Sequence, residues 1–590
     1  MKNFTKSLLK CAFAAGFALN SFSGDAATFT ATTSGNFNAS STWVGGVAPS
    51  SNITADMVII PSGITVTLTQ SVSVNGALAV LDVNGTLAAN SGTMLSVASG
   101  TLMGNGVVNV DSLELGLVSG LTFTGDIIAD VLVSSGTTVS GAADITVDEQ
   151  LVLDAGMLNI AAGSVNLSNG ATIVVDGGTL DLSGSGALGL NNSYNVTYAG
   201  SSASAGLELS GSGLNDITVA VGSGNDVTLN SDLNVDGMLT LTSGELVLDG
   251  NDLSFSGNGN VAASGSGTIS STNASNIMIN STNSLGGNLR FTSGANTVND
   301  LTIDLGSVSA SAGLGSNLNV DGDLDLQTGL LNIGSNTVTV GAGGSVAGGS
   351  TNSFVITGNN GRLAVATSAS DSVTLHIGAN ATTYAPVKVK VNPGSTGGTI
   401  SAGVVTGLQS GATTGTNLAV TQPVVNATWF VGTSATSNVN MTVSPMWSAA
   451  MEVNGFNRSE AYVSTNTNGT WTTSTTASAA TSAGTMYTLS SSAVTSSSAA
   501  VSVMGKNAVN NVPEVATNAG IRIYPNPAIS SLHFDANGTV NVSVYNFAGQ
   551  LVKSAVVTNN SISVEELPAG YYNIRLAGEA FTTTQKFVKQ

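Results

Sequence analysis

Three carboxylates at alternate positions, Asp321, Asp323 and Asp325, are the residues whose type and spacing most invite chemistry. Alternate side chains of a strand share one face, so this run could hold Ca²⁺ weakly through oxygen ligands. It is no EF-hand loop, because Leu326 stands where the turn glycine belongs and Asn332 where the terminal glutamate belongs. The matching positions elsewhere are Asp236, Met238, Thr240 and Asp148, Gln150, Val152. Only the first Asp recurs, and an Asx-turn before the next strand accounts for it without metal. Paired carboxylates can also hydrolyse glycosides, but no acidic cluster stands out. The two histidines, His376 and His533, lie far apart, and neither has a distinctive nucleophile beside it. A lyase needs a cationic base, yet no Lys or Arg occurs between Lys10 and Arg290. The expectation is a protein without enzymatic activity or cofactor.

The elements that position these residues are short and alternating. In Leu233–Phe255 the apolar pairs Leu233/Val235, Leu239/Leu241, Leu246/Leu248 and Leu253/Phe255 start 6, 7 and 7 residues apart, with Gly237, Gly244 and Gly250 between them. Each pair reads as a period-two strand and each glycine as a turn. The same rhythm recurs from Leu318 and from Ile145, 85 residues downstream and 88 upstream. Such a unit cannot bury its own apolar face and must stack on its neighbours. The spacing predicts a right-handed, three-sided parallel β-helix-like solenoid over residues 28–345, with about 20–22 residues per coil. Trp43 is read as a plug for the first coil rather than a sugar platform, since an open coil edge invites aggregation.

Composition agrees with an all-β chain. Charged residues make up 8% of the 590, Gly numbers 72 and mean hydropathy is +0.29, so this is no disordered composition. The formal charge of −20 excludes nucleic acid as a partner, because phosphate binding needs clustered cations. The single Cys11 falls in the leader, so the mature chain has no disulfide or thiolate chemistry. Residues 1–27 read as a signal peptide: Lys2, Lys6 and Lys10 precede an apolar core, Cys11–Leu19, too short to remain as a membrane anchor. No transmembrane segment is expected in the mature protein.

At Gly341–Gly349 the rhythm breaks. Longer strands with aromatics follow, from Phe354–Thr357 and Leu363–Ala366 onward, and predict a β-sandwich over 350–505. Trp429, Trp447 and Trp471 read as its core anchors rather than as ligand platforms. Residues 506–520 lack periodicity and read as a linker. Residues 521–590 read as a small Ig-like β domain. It opens on the rigid turn Tyr524-Pro525-Asn526-Pro527, turns at Gly549 and at Leu567-Pro-Ala-Gly570, and closes on Thr582–Val588.

Four ordered motifs in this tail resemble the type A C-terminal sorting domain of proteins exported by the Bacteroidetes type IX secretion system. They are Tyr524–Pro527, the stretch Val544-Tyr-Asn-Phe-Ala-Gly549-Gln-Leu-Val552, the stretch Leu567-Pro-Ala-Gly570-Tyr571-Tyr-Asn-Ile-Arg575, and Lys586-Phe-Val-Lys589. The resemblance implies passage of the inner membrane by the leader and of the outer membrane by the tail. It further implies removal of the tail near the linker, with release or attachment to surface lipopolysaccharide. The preceding body is similar to β-solenoid cell-surface proteins of that phylum. Asp111-Ser112-Leu113 and Asp371-Ser372-Val373 resemble O-glycosylation sites found there. The resulting expectation is a secreted or surface-bound structural, adhesin-like protein. Its partners would be the secretion machinery and lipopolysaccharide, glycans or other surface proteins. A carbohydrate-binding protein and a β-helix polysaccharide-degrading enzyme are the alternatives.

Overall fold

The computed structural model describes residues 26–590 except 117–120, 506–520, 579–581 and the single positions 183, 190, 359, 414, 468, 474, 475 and 537. The leader up to Asp25 and the linker at 506–520 therefore lie outside the described residues. The rest is nearly all-β, with 53% strand and 2% helix, and forms two compact units. The first runs to Thr367 and adds Thr374–Tyr384 and Thr399–Gly403; the second comprises Ser368–Val373, Ala385–Gly398 and Val404–Gln590.

The first unit is a β-solenoid of about 15 turns. The fourth pair of the repeat stacks on the first: Leu233 pairs with Leu253 and Val235 with Phe255, in parallel. Three strands thus complete one coil, as the spacing requires. The column continues upward as Leu253–Ile277–Leu301–Leu324, with Phe255–Ile279–Ile303–Leu326 beside it, all buried. Each such side chain contributes roughly 1.5–3 kcal/mol by leaving water. Coil length is more elastic than expected. Ile127 stacks on Ile145, 18 residues on, whereas Val338 stacks on Leu363, 25 residues on. Inward columns fix the strands, and the corners absorb the difference. In Val107–Leu115, Asp126–Ser134 and Asp144–Leu153 two sides of a coil fuse into one bent strand.

The turn glycines act in two ways. Gly244 and Gly250 adopt φ of +85° and +86°, where a side chain is strained. Gly237 instead lies so close to the coil beneath that an added Cβ would come within 2.3 Å of the Asn215 carbonyl oxygen.

Trp43 sits between two short 3-10 turns, Ser40–Thr42 and Val44–Gly46, and is buried at the first coil. Its indole Nε1 donates to Phe37 O at 2.8 Å, and the two rings meet edge to face. An antiparallel bridge between Ala31 and Trp43 folds this excursion onto the first strand. The plug is therefore buried chain rather than an exposed platform.

The solenoid does not stop at residue 345. Val346–Gly348 lies parallel on Leu324–Leu326, Phe354 on Leu330, Leu363 on Val338, and Ile377 on Val355. Phe354–Thr357 and Leu363–Ala366 thus belong to coils, not to a sandwich. Glycines explain the lost rhythm. Gly344 stands where a Cβ would strike the Gly322 backbone, and Gly348 and Gly349 adopt φ of +67° and +79°. The chain turns corners there without needing apolar pairs to announce them.

In the second unit the strands run antiparallel. Met441–Trp447 pairs with Val387–Val391 and with Met486–Thr488, while Ser498–Gly505 pairs with Ala427–Thr433 and Ala461–Asn466. Trp429 and Trp447 are fully buried. The tail has a three-stranded sheet, Ile523–Tyr524, Ser531–Phe534 and Ser561–Ser563, and a four-stranded one ordered Leu551–Val557, Val540–Asn546, Gly570–Ala577, Thr582–Lys589. Phe534, Val542, Val544, Ile574 and Phe587 form its core.

Candidate functional site

Asp321, Asp323 and Asp325 do not form a shared face. Asp321 and Asp323 occupy the corner between the strands Leu318–Val320 and Leu324–Asn332, and only Asp325 lies on a strand. Each is engaged separately. Asp321 Oδ2 accepts from Asn273 Nδ2 at 3.1 Å, Asp323 Oδ1 from Ser345 N and Oγ at 2.8 and 2.9 Å, and Asp325 Oδ2 from Gln327 Nε2 at 2.6 Å. The three carboxylates that could hold Ca²⁺ weakly are thus not brought together on one face. Among the described residues no group of three or more His, Cys, Asp or Glu side chains is arranged to hold a metal ion.

Asp323 instead belongs to a ladder that sequence reading missed. Asp252 N donates to Asp232 Oδ1, Asn276 N to Asp252 Oδ1, Asp300 N to Asn276 Oδ1, Asp323 N to Asp300 Oδ1, and Ser345 N to Asp323 Oδ1, all within 2.7–3.2 Å. Every rung stands one residue before an inward apolar pair. The signal was present as the recurring Asp/Asn-apolar doublets at 232, 252, 276, 300 and 323.

A second acidic corner is less comfortable. Asp111, Asp130 and the Asp148–Glu149 pair fall at the same bend of three successive coils. Asp130 has its pKa raised, first by burial, then by a hydrogen bond with Asp111 and repulsion from Asp111, Glu149 and Asp148. Gly92 N donates to Asp111 Oδ2 and Ser168 Oγ to Asp148 Oδ1.

Among the described residues Glu208 is the carboxylate most removed from water. It lies buried in the 3-10 turn Leu207–Leu209, where Tyr198 Oη donates to Oε1 at 2.6 Å and Gly206 N at 2.7 Å. Tyr194 Oη donates to its carbonyl at 2.9 Å. Burial pushes Tyr194 up to about 12 and Tyr198 well above its ordinary value, with the Glu208 charge acting in the same direction. Both hydroxyls thus stay protonated as donors.

The histidines are brought to different places. His376 Nδ1 meets Tyr384 Oη at 2.6 Å with the rings parallel, and Phe354 packs on Tyr384. Burial lowers the His376 pKa and raises that of Tyr384 to about 12. His533 stacks on Tyr524 in the tail. Of the three tryptophans of the second unit only Trp471 is part-exposed, with Nε1 donating to Gln409 O at 2.9 Å. Trp447 Nε1 donates to Glu452, which also receives both arms of Arg458 at 2.7 and 2.8 Å. Of the two glycosylation-like serines, Ser112 is half-buried in mid-strand and Ser372 is exposed.

The sorting-motif residues divide into two groups. Tyr524–Pro527 is joined to the last motif: Asn526 Nδ2 donates to Lys586 O at 3.1 Å and its Oδ1 accepts from Val588 N at 2.9 Å. Ala528 N donates to Val588 O and Gln590 N to Ala528 O, so the outer edge of the closing strand is covered. Lys589 is buried there, opposite Gly570. Gly549 takes φ +78° in the hairpin turn. Tyr571, Arg575 and Lys586, by contrast, are exposed at alternate strand positions on the outer face of the four-stranded sheet.

Among the described residues no helix is long and apolar enough to cross a membrane. No curated protein and no solved structure matches the chain. Residues 522–590 match the family model described as the secretion system C-terminal sorting domain. The chain therefore carries a type IX secretion sorting tail behind a β-solenoid body, which implies export to a secreted or cell-surface location.

Proposed function

We propose that this is a non-enzymatic, adhesin-like structural protein of the cell surface or its surroundings, with the solenoid as spacer. One observation carries the reading: side chains at the coil corners are spent on holding coil to coil. Along the Asp232-to-Ser345 ladder one side-chain oxygen at each corner is engaged in holding the next coil, a structural use of the polar residues there. About 15 turns at roughly 4.8 Å each give a spacer on the order of 70 Å. Surface lipopolysaccharide, glycans or other surface proteins are the partners such a spacer would serve.

Purified mature protein mixed with a panel of surface glycans and polysaccharides tests this. Retention without bond cleavage agrees with it, and release of shortened sugar chains overturns it in favour of a β-helix polysaccharide-degrading enzyme. The carbohydrate-binding alternative rests on Trp471, the part-exposed indole of the second unit. Loss of glycan retention in Trp471→Ala with the fold intact would favour it.

A further inference from the structure

The tail is short, yet seven of the sixteen large apolar side chains that stand exposed among the described residues belong to it. Two of them, Leu551 and Tyr571, share one sheet face, and Phe547 stands in the turn beside it. Leu551 pairs with Tyr545, Tyr545 with Asn573, and Asn573 with Lys586, which places these four side chains on the outer face of the four-stranded sheet. Tyr571, two residues before Asn573, shares that face and is 73% exposed. Phe547, in the adjoining hairpin turn, is 92% exposed. Arg575, two residues beyond Asn573, is exposed on the same side.

The charge on this face is as unusual as its apolarity. The whole chain is −20, but the four strands of this sheet contain no Asp or Glu. Their two exposed cations, Arg575 and Lys586, both point outward, whereas Lys553 pairs with Glu566 and Lys589 is buried. Exposed aromatics flanked by Arg and Lys are what a protein interface uses for anchors and orientation.

We infer that this face, Phe547, Leu551 and Tyr571 flanked by Arg575 and Lys586, is the surface by which a protein component of the secretion machinery reads the tail. Its docking site is apolar at the centre and acidic at the rim. The inference rests on the assignment of the tail to export. A protein reader is favoured over an anionic lipid surface because a lipid would have to attract a chain of net charge −20.

The test uses the full chain expressed in a type IX-secreting host, with extracellular and periplasmic amounts measured. Three variants are compared: Phe547→Ser with Tyr571→Ser, Arg575→Glu with Lys586→Glu, and Arg575→Lys with Lys586→Arg. The first two should fold, as judged by circular dichroism of the purified chain, and should lower extracellular delivery at least tenfold while the periplasmic pool rises. The conservative third should deliver normally. Normal delivery of both disruptive variants overturns the inference. So does salt-sensitive binding of the wild-type chain to phosphatidylglycerol vesicles that the charge reversal abolishes, since the reader would then be lipid. Deletion of residues 522–590 separates the two levels. If the deletion blocks delivery but the face variants do not, only the face is wrong; if the deletion is delivered, the export assignment itself fails.

Discussion

Asp323 donates its backbone N–H to Asp300 Oδ1 at 2.7 Å, one coil away. The contact repeats along the same corner from Asp232 to Ser345, so each coil offers the next a side-chain acceptor at the point where strand pairing is interrupted. Without it, the N–H groups at these corners, those of Asn276 and Asp300 part-buried, would lose their protein partner. Asp300→Ala should lower stability by about 1–2 kcal/mol, whereas Asp300→Asn, which keeps an acceptor oxygen, should cost less than half of that. Urea denaturation followed by circular dichroism checks the ranking. Equal losses for Ala and Asn would mean that the charge, not the acceptor, matters.

The bend at Asp111, Asp130 and Asp148 predicts a pH effect of definite sign. Asp130 titrates above its ordinary 3.8 in the folded chain because burial and neighbouring carboxylates disfavour its charge. A carboxyl whose folded pKa is raised binds its proton more tightly when folded. Its contribution therefore favours folding below 3.8 and is lost as pH rises through the raised value. Asp130→Asn removes that loss. The variant should melt higher than wild type at neutral pH, and the gap should close as pH falls toward 4. The gain will be small, on the order of 1 kcal/mol or less, because the site is largely open to solvent. A variant that melts lower at neutral pH would show that Asp130 is held by a favourable contact instead.

Glu208 predicts a contrast between two substitutions. Its Oε1 receives Tyr198 Oη and Gly206 N inside the coil. Glu208→Gln keeps an acceptor there and should be tolerated within about 1 kcal/mol, while Glu208→Ala strands a buried hydroxyl and should cost about 1–3 kcal/mol. Thermal unfolding of the two variants decides it. If Ala is as stable as Gln, the Tyr198 hydroxyl has found another partner.

These cases also show what a reader of the sequence could see. The inward columns were legible because a period of two, punctuated by glycine at fixed intervals, has few physical explanations. The stacking of Leu253 on Leu233 follows from the 20-residue return alone. Leu207-Glu208-Leu209 misleads by the same rule: alternation puts the leucines inside, yet Leu207 is exposed and Glu208 buried. A 3-10 turn breaks the alternation there, and the Tyr198 hydroxyl satisfies the carboxylate while the Tyr194 hydroxyl satisfies the backbone carbonyl. Neither is local in sequence. The end of the solenoid was illegible for a related reason, since Gly341–Gly349 turns without apolar pairs. The tail motifs were legible as motifs, but not their division into a buried brace around Asn526 and an exposed face around Tyr571.

Asn526 offers the sharpest test of that brace. Its amide works as a short substitute strand, donating to Lys586 O and accepting from Val588 N along the edge of the closing strand. That pairing needs both a donor and an acceptor on one rigid group, which an amide supplies and a carboxylate does not. Asn526→Ala leaves both backbone groups to water and should cost about 1–2 kcal/mol. Asn526→Asp keeps the acceptor for Val588 N but sets a carboxylate oxygen against the Lys586 carbonyl, so it should be no better than Ala despite its matching shape. Because the brace also covers a strand edge that would otherwise be open to pairing, both variants should aggregate more readily on heating. Thermal melts with light scattering on the full chain give both readouts. An Asp variant as stable as wild type would mean that Ala528 alone, through Val588 O and Gln590 N, closes the edge.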